Sequence, residues 1–489
     1  MHFPLALDGV RTMVSPTLRI RSIYDIALIK LIKDNLKYEL VQPTVEQSEI
    51  FGIEENHAPY DIEISDVLGG YGISIEAEEE HVSALVSLFQ EKLSDSIIIR
   101  HPVQLHAIYN GRIVHVNYQK KLCIVDIGED INAILFGANY RKGQKVVVQI
   151  KQLNVFQDQL PVCSTVIHFP GQSVILERDA SFVRVSRKLS KADRDKLFNL
   201  GKQLRPKNHG LIMRTSAVEA SIESLQADIE HLVQQSEELD LLISGSSYGP
   251  GILQLGHTVA HVIFVKNVKD ELTNIRNTIV PTLPQYHWFM SYSTELKLTT
   301  TFAESISDKV DSNYLSRMLK DVILKRDFPE NALINIQEYH LNAPPVYKIA
   351  GQLTWEDNNT MVIKRTFRTT HGTHYDLGIP IQQGDSLTLI TKEGSWTLHK
   401  KIHRNNKLLG EIIDIVTPIE LYSKGNIRYI NLGIRLVKTN GKVEVINKGT
   451  LDDLKMKKIV SEQFSTKVNE ITEICMEKLE RDEEAIIYL

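Results

Sequence analysis

The sequence predicts an α+β protein of several domains. Its 489 residues suffice for roughly two to four domains, each with its own core. Two stretches consist of short strand-like runs separated by turn residues, whereas the stretches around them also show helical spacing of apolar residues. We therefore predict an α/β domain at 1–100, a β-barrel at 101–167, an α/β region at 168–345, and a β-barrel with a terminal helix at 346–489.

The composition is that of an ordinary globular protein. Hydrophobic residues make up 42% and charged residues 24% of the chain, and the net charge of −5 argues against a generally basic nucleic-acid-binding protein. Cys123, Cys163 and Cys475 are far apart and odd in number, which predicts neither a disulfide framework nor a thiolate zinc site but a reduced, cytoplasmic protein. No apolar run approaches the ~20 residues of a membrane span. Residues 1–18 lack the basic start of a signal peptide, so we expect none.

The first domain has the pattern of a small α/β structure. Residues 23–32 have helical spacing, and residues 38–43 form a strand-like run that a proline ends. Residues 61–64 and 72–75 alternate like strands. Residues 79–93 are predicted as a helix whose acidic first turn suits the helix dipole. None of these elements has a catalytic motif.

The second domain is predicted to be a barrel that binds single-stranded nucleic acid. Small barrels of this kind use aromatic rings to stack bases and basic groups to contact the backbone. The aromatic candidates are Tyr109, Tyr118, Phe136 and Tyr140. The basic candidates are Lys120, Lys121, Arg141, Lys142 and Lys151. The alternative for any one of them is a core aromatic or a solvated turn lysine.

The third domain begins with the most basic window of the chain. Residues 184–214 contain ten Lys or Arg residues against two Asp residues, a net charge of +8 (10 − 2), and such a window attracts polyanions. The alternative is a solvated helix at 191–204. Arg187, Lys188 and Arg214 lie near predicted strand ends. In the pair Arg214-Thr215, a forked guanidinium and a hydroxyl together suit a phosphate group.

The rest of the chain continues the alternation of helix and strand. Residues 216–238 are predicted as a long amphipathic helix that Ser216 or Ser221 caps. Residues 347–450 contain only strand and turn patterns and predict the second barrel, and residues 450–484 are charged and helical.

Three groups of motifs resemble a known family. They are Arg19–Leu28 with Glu39–Pro43, then Ser186-Arg187-Lys188 with Gly210–Ala217 after the barrel, then His371–Ile381 with Thr417–Tyr422. Together they resemble the archaeal FAU-type proteins, RNase E/G-like ribonucleases that bind AU-rich RNA and act on ribosomal RNA precursors. The resemblance covers nearly the whole chain from Arg19. The last group also resembles a barrel domain of nucleoside-diphosphate phosphatases.

The resemblance implies an OB-fold for the first barrel and an RNase E/G-like fold for the α/β region that follows. Arg214 and Thr215 match the pair that holds a 5′-monophosphate end in RNase E-like enzymes. The sequence departs from those enzymes in having no Asp-x-Asn segment and no Cys-Pro-x-Cys zinc link. Ile124 and Ile134 stand where such barrels place stacking aromatics. Asn431, Gly433 and Arg435 occupy a strand that is acid-rich in the phosphatases, which argues against a metal-dependent diphosphatase.

The sequence therefore predicts an endoribonuclease that binds AU-rich, single-stranded or looped RNA and acts in maturation or degradation of precursor rRNA. A metal-dependent site, with Mg²⁺ as the candidate ion, needs clustered carboxylates, and Glu295 and Glu304 are the candidates. A metal-free site uses the RNA 2′-hydroxyl with a histidine as base, and His287, His371 or His374 are candidates. The alternatives are a non-catalytic RNA-binding protein and a nucleoside diphosphatase.

Overall fold

The computed structural model describes residues 15–54, 56, 58–156, 159–187, 189–245, 249–341, 343–356, 359–368, 370–374 and 377–488. The chain forms two compact units, and the statements below concern their described parts. Unit 1 comprises Met1–Ile98, Val262–Glu338 and Val346–Leu489. Unit 2 comprises Ile99–His261 and Tyr339–Pro345.

Helices and strands are numbered in chain order. The helices are α1 (Asp25–Asn35), α2 (Val45–Phe51), α3 (Glu79–Lys92), α4 (Lys191–Leu204), α5 (Ile222–Gly245), α6 (Lys266–Asn277), α7 (Tyr286–Tyr292), α8 (Thr294–Ser305), α9 (Ser312–Asp327), α10 (Thr450–Met456) and α11 (Glu462–Glu480). The strands up to the basic window are β1 (Thr17–Arg21), β2 (Glu39–Leu40), β3 (Ile62–Val67), β4 (Gly72–Ala77), β5 (Ile97–Arg100), β6 (Ile108–Asn117), β7 (Leu122–Gly128), β8 (Ile131–Phe136), β9 (Lys145–Gln152), β10 (Val162–Ser164), β11 (His168–Pro170), β12 (Val174–Arg178) and β13 (Val183–Val185). The later strands are β14 (His209–Met213), β15 (Gly251–Gln254), β16 (Thr258–Ile263), β17 (Leu333–His340), β18 (Val346–Glu356), β19 (Thr360–Thr366), β20 (Thr373–His374), β21 (Ile379–Pro380), β22 (Ser386–Thr391), β23 (Thr397–Arg404), β24 (Lys407–Val416), β25 (Glu420–Tyr422), β26 (Asn426–Thr439) and β27 (Lys442–Ile446).

Unit 1 starts with a six-stranded mixed sheet in the order β2-β1-β3-β4-β16-β5. Strand β1 is parallel to β3, and β3 is antiparallel to β4. Side chains alternate between the two faces, so Leu18 and Ile20 are buried while Arg19 forms an ion pair with Glu63 on the other face. The predicted helix at 79–93 is confirmed as α3.

The longer segment of unit 2, Ile99–His261, is a continuous insertion between neighbouring strands of that sheet. The chain leaves the sheet at β5 and returns at β16, which lies beside β5. The two ends of the insertion are bonded within unit 2. The His101 N–H donates to the Val259 carbonyl at 3.2 Å, and the Leu105 N–H donates to the His257 carbonyl at 2.9 Å. The insertion therefore begins and ends at one place.

The later part of unit 1 is a closed seven-stranded barrel. Its strands follow the order β17-β18-β19-β22-β23-β24-β26, and β26 pairs back with β17. Ile334, Leu353, Ile363 and Leu398 belong to its buried apolar core. The barrel begins at β17, before the start predicted at 346, and α11 lies near the C-terminal end of the chain.

Unit 2 contains a second closed barrel, this one of five strands. The order β6-β7-β8-β10-β9 is closed by pairing of β6 with β9, and β15 extends the sheet beyond β6. Inward residues such as Ile113, Val125, Ala133 and Val148 are buried, and the residues between them face outward. The barrel predicted at 101–167 is therefore present as a five-stranded β-barrel.

A four-stranded sheet in the order β11-β12-β14-β13 completes unit 2. Leu176 and Leu211 on one face pack with Leu197 of α4 and Leu225 of α5. The predicted helix at 191–204 is confirmed as α4.

The long helix predicted at 216–238 begins later than expected. The Ser224 N–H donates to the hydroxyl of Ser221 at 3.1 Å, so Ser221 caps α5. The Ser216 hydroxyl instead donates to the Gln172 carbonyl at 2.9 Å. Across the described chain, we find no helix with the length and apolar character that crossing a membrane requires.

Candidate nucleic-acid interface

Three chain segments of unit 2 meet at one edge of the four-stranded sheet. Strands β13 and β14 are parallel, with Val185 opposite Met213, so the residues after each strand emerge side by side. Strand β12 is antiparallel to β14, with Val174 opposite Met213, so the turn before β12 lies at the same edge. We call this the phosphate edge: Gly171–Ser173, Arg187, Arg214 and Thr215.

Arg214 is held at the phosphate edge without a carboxylate partner. Its backbone N–H donates to the Ser173 carbonyl at 2.9 Å, and its Nη1 donates to the Gly171 carbonyl at 2.6 Å. Among the described residues no acidic side chain forms an ion pair with it. A guanidinium has five N–H donors, so one fixed bond orients the group and leaves donors for a ligand. The described contacts of Arg214 therefore differ from those of an arginine that holds the fold together through a structural ion pair.

The turn that orients Arg214 is itself fixed. The Asp228 carboxylate accepts the backbone N–H groups of Gln172 at 3.1 Å and Ser173 at 2.8 Å. A Cβ atom at Gly171 would lie 2.4 Å from Asp228 Oδ1, so a larger residue there would displace the Asp228 carboxylate from the turn. The Gly171 carbonyl that holds Arg214 is therefore rigidly placed.

The other side chains predicted at this edge reach solvent. Thr215 and Arg187 are exposed. Lys188 lies outside the described residues. The structure thus brings Arg187, Arg214 and Thr215 to one edge, which combines two guanidinium groups and a hydroxyl.

The basic window around this edge is not neutralised by the protein. Within the described part of 184–214, none of the Lys or Arg side chains forms an ion pair with a carboxylate. Arg184 instead stacks on Phe182, with its guanidinium carbon 4.0 Å from the ring centroid. Unpaired cations of one sign repel one another, and a polyanion relieves that repulsion.

The barrel of unit 2 places two of the predicted aromatics at one end. Tyr118 is 69% exposed and Phe136 is 64% exposed. Leu122 of β7 pairs with Asn117 on one side and Phe136 on the other, so Tyr118, which follows Asn117, and Phe136 lie at the same end of the barrel on either side of β7. Lys120 is exposed in the same turn. Two rings and an ammonium therefore share one surface, which we call the barrel face.

Tyr109 has a different place. It is 9% exposed and packs in the barrel core, so its ring presents little surface to a base. Ile124 and Ile134 are half-buried and face each other across β7 and β8. The positions of Ile124 and Ile134 are thus aliphatic in this barrel.

The histidine predicted as a catalytic base, His287, is completely buried. Its Nδ1 lies 3.0 Å from the Thr273 hydroxyl, and its ring packs against Tyr24 at 5.0 Å. Burial and the nearby Arg276 lower the pKa of His287 to about 3. A substrate cannot reach this ring, which fills the unit 1 core.

The other catalytic candidates are not brought together. Glu304 accepts two bonds from Arg276, at 2.8 and 3.2 Å, and burial raises the pKa of Glu304 although Arg276 opposes this. Glu295 is exposed in the first turn of α8, and His371 is exposed elsewhere. His374 is buried against Asp385, with 2.8 Å between Nε2 and Oδ2.

The two predicted carboxylates, Glu295 and Glu304, are not brought together as magnesium ligands. Mg²⁺ requires several oxygen ligands around one point. No group of three or more His, Cys, Asp or Glu side chains that could hold a metal occurs in the described part of the chain. Of the two predicted carboxylates, Glu304 is already occupied by a guanidinium.

The carboxylates of the unit 1 barrel are likewise paired with cations. Glu338 accepts bonds from Lys348 at 2.5 Å and Asn431 at 2.7 Å. Asp414 forms ion pairs with Lys400 and Arg435. Burial alone would raise the pKa of Asp414, but the two cations hold it below its usual value. Arg435 therefore occupies the Asp414 carboxylate that a metal ion would need as a ligand. This pairing does not favour a metal-dependent nucleoside diphosphatase.

Comparison with known proteins identifies relatives over nearly the whole chain. Residues 168–322 match the model of the Ribonuclease E/G family. A Pyrococcus abyssi protein named "Probable ribonuclease FAU-1" is 30% identical over 477 residues, which cover 95% of this chain and 98% of the relative. One of the same name from Thermococcus gammatolerans is 29% identical over 476 residues, with the same coverage.

Comparison with solved structures also gives a partial match. The crystal structure of the phosphatase SC4828 with the non-hydrolyzable nucleotide GPCP matches 32% of this chain and 84% of that one, at a TM-score of 0.26 and 7% identity. The archaeal relatives match a far larger part of the chain, at a higher sequence identity. With 30% identity along almost all of both sequences, the chain belongs to the FAU-1 family of probable ribonucleases.

Proposed function

We propose that this chain is an endoribonuclease that binds AU-rich, single-stranded or looped RNA and acts in the maturation or degradation of precursor rRNA. The observation that carries the proposal is the phosphate edge. There Arg214 is fixed by a carbonyl, not by a carboxylate, beside the exposed Thr215 and Arg187. The match of residues 168–322 to the Ribonuclease E/G family and the names of the archaeal relatives support it.

The phosphate edge suits the 5′-monophosphate end of an RNA. A terminal monophosphate has more negative charge than an internal phosphodiester and presents three oxygens. Arg214 and Arg187 would each donate to these oxygens, and the Thr215 hydroxyl to a third. Each charge-assisted bond contributes about 1.5–3 kcal/mol, so the edge would distinguish a phosphorylated end from a hydroxyl end.

The barrel face suits unpaired bases. In an OB-fold-type barrel, bases stack on exposed rings, and each stacked base contributes about 1–3 kcal/mol. Tyr118 and Phe136 are the rings available for this, and Lys120 would meet the backbone. A-form duplex hides its base faces, so loops bind better, and AU-rich loops open most easily.

One assay tests the proposal against its two alternatives. The full chain is incubated with an RNA hairpin that has an AU-rich loop, with a perfect duplex of the same composition, and with nucleoside diphosphates. We expect cleavage within the loop, weak or no cleavage of the duplex, and no release of phosphate from the nucleotides. Binding without cleavage would identify a non-catalytic RNA-binding protein, and phosphate release would identify a diphosphatase.

A further inference from the structure

The outward face of the four-stranded sheet in unit 2 has a cluster of acid–base side chains that the phosphate edge does not use. His168 on β11 lies opposite Glu177 on β12, with 2.9 Å between Nε2 and Oε2. Ile175 on β12, Ile212 on β14 and Arg184 on β13 are aligned across the sheet. Because Glu177 lies two residues from Ile175, His168, Glu177 and Arg184 share this face.

The hydrogen bond between His168 and Glu177 uses one ring nitrogen of His168 and leaves the other available to accept a proton. His168 is 34% exposed at its side chain, and Glu177 is 14% exposed. A carboxylate accepts but does not donate, so Nε2 must have the proton that bonds to Glu177. The lone pair of the neutral ring is then on Nδ1. Carboxylate and imidazole thus stand in the relation that orients a general base.

A buried glutamine places a lysine beside this pair. Gln149 is 2% exposed, and its Oε1 accepts the Lys151 ammonium and also the backbone N–H of His168 at 2.9 Å. Its Nε2 donates to the carbonyls of His168 at 2.8 Å and His106 at 3.0 Å. One side chain therefore fixes Lys151 relative to the strand that presents His168.

The charges of this cluster favour proton transfer near neutral pH. Burial lowers the pKa of Lys151 to about 8, although Glu177 opposes this. Burial and Lys151 also lower the pKa of His168 despite Glu177. A neutral imidazole and an ammonium that gives up its proton readily are the base and acid that transesterification of RNA requires.

We propose that His168, Glu177 and Lys151 form a metal-independent RNA-cleaving site on the outward face of the unit 2 sheet. The inference rests on the proposed ribonuclease function and names its chemistry. Nδ1 of His168 takes the proton of a ribose 2′-hydroxyl, and the 2′-oxygen forms a bond to the adjacent phosphorus. The bond from phosphorus to the 5′-oxygen breaks, and Lys151 gives its proton to that oxygen.

The products are a 2′,3′-cyclic phosphate and a 5′-hydroxyl end, and exchange with solvent restores both side chains. Glu177 is a positioning residue, since it fixes the tautomer and orientation of the ring. Arg184, on the same face, would contact the phosphate that is attacked. None of these reaction steps requires a metal ion or a further reactant.

The substrate provides a test that does not depend on folding of a variant. The full chain is incubated in EDTA with the looped RNA and with the same RNA 2′-O-methylated at the cleaved nucleotide. We expect cleavage of the first, with cyclic phosphate ends, and none of the second. Cleavage that requires a divalent metal, or that yields 3′-hydroxyl and 5′-phosphate ends, overturns this site but leaves the ribonuclease function standing. Absence of any cleavage overturns the proposed function itself.

Substitutions of single residues then test the role of each side chain in cleavage. His168→Gln should lower kcat at least about 100-fold with RNA affinity unchanged, whereas His231→Gln, an exposed histidine of α5, should behave as wild type. Lys151→Arg keeps the charge but cannot release a proton at neutral pH, so it should lose nearly as much activity as Lys151→Ala. Glu177→Gln should move the acidic limb of the pH profile to lower pH, because Glu177 raises the pKa of His168. Full activity of either His168→Gln or Lys151→Ala excludes the site.

Discussion

The two units use charged side chains in opposite ways. In unit 1, Lys269, Glu420 and Arg428 are fully buried and satisfy one another: Arg428 donates to Glu420 at 2.8 and 3.0 Å, and Lys269 forms an ion pair with the same carboxylate. In unit 2, the cations of the basic window have no carboxylate partners in the described structure, and the pair of His168 and Glu177 reaches solvent. The buried charges of unit 1 are thus paired with one another, whereas the described cations of the basic window are not paired with carboxylates.

This difference shows that residue type alone does not mark a functional site. A buried cation must be paired because an isolated charge cannot leave water, whereas an exposed cation needs no partner. Arg428 also lies 4.1 Å from the ring centroids of Tyr71 and Tyr422, which encloses it further. Substitutions in the two units should therefore affect different measurements.

The largest expected effect is on stability in unit 1. Glu420→Ala leaves Lys269 and Arg428 buried without their carboxylate and should lower the free energy of unfolding by about 3–5 kcal/mol. The control is Glu444→Ala, which removes the exposed partner of Lys442 and should cost at most about 1 kcal/mol. Urea unfolding measures both. Equal effects of the two substitutions would show that the buried network does not stabilise unit 1.

In unit 2, Arg214→Ala should change recognition of RNA ends. Loss of one charge-assisted contact should weaken binding of 5′-monophosphorylated RNA about tenfold or more, and binding of 5′-hydroxyl RNA should hardly change. Arg205→Ala is the control for position: Arg205 also donates to a carbonyl, that of His209 at 3.1 Å, but lies before β14, so its loss should leave the ratio of affinities for the two RNA ends unchanged. If Arg214→Ala weakens binding of both RNAs equally and lowers the melting temperature, Arg214 stabilises the fold and does not recognise the RNA end.

The pH dependence of cleavage should show separate contributions from the general base, His168, and the general acid, Lys151. His168 must be neutral, and its pKa lies below its ordinary 6.5, so the acidic limb falls below that pH. Lys151 must be charged, and its pKa is about 8, so the rate should fall about tenfold per unit above pH 8. Glu177, Arg184 and His106 are the charged or titratable groups around them. A kcat/KM that stays constant well above pH 8 would remove Lys151 from the mechanism.

Substitutions on the barrel face are expected to have a smaller effect on RNA affinity. Phe136→Ala should weaken binding of looped RNA by about 1 kcal/mol, roughly fivefold, through loss of one stacked base. Tyr347 of unit 1, which is 65% exposed, offers a control of similar exposure. Filter binding of loop and duplex RNA compares the variants. If Tyr347→Ala weakens binding as much, the barrel face has no special role.

The smallest effect is a change of salt dependence. Each phosphate contact adds about 0.7 to the log–log slope of single-strand binding against salt concentration. Arg187→Ala should reduce the slope by about that amount, whereas Lys442→Ala in unit 1 should leave it unchanged. A wild-type affinity that does not depend on salt would exclude the basic window as a binding surface.

Local patterns predicted local structure well. Helices α3 and α4 and the strands of both barrels follow from spacing and turn residues within a few positions of the chain. The place of Arg214 at a strand end also follows from an apolar run that stops there. Tyr109 shows the limit, because a strand pattern does not tell which of its faces turns inward.

Long-range pairing could not be predicted. Lys269 and Glu420 are 151 residues apart, and nothing near either one indicates the other. His168 and Glu177 are different, since only a hairpin separates them. An alternating run with a histidine and a carboxylate nine residues apart indicates a cross-strand pair once the turn at Gly171 is recognised.

The insertion of the segment Ile99–His261 between two adjacent strands has a consequence for how the sequence can change. The backbone bonds from His101 to Val259 and from Leu105 to His257 join the start and end of the insertion, so its two ends act as one attachment point. Neighbouring strands lie about 4.8 Å apart, a gap that a tight turn of two residues closes. Replacement of the segment Ile99–His261 by a short turn would therefore leave β5 and β16 as neighbours in the sheet.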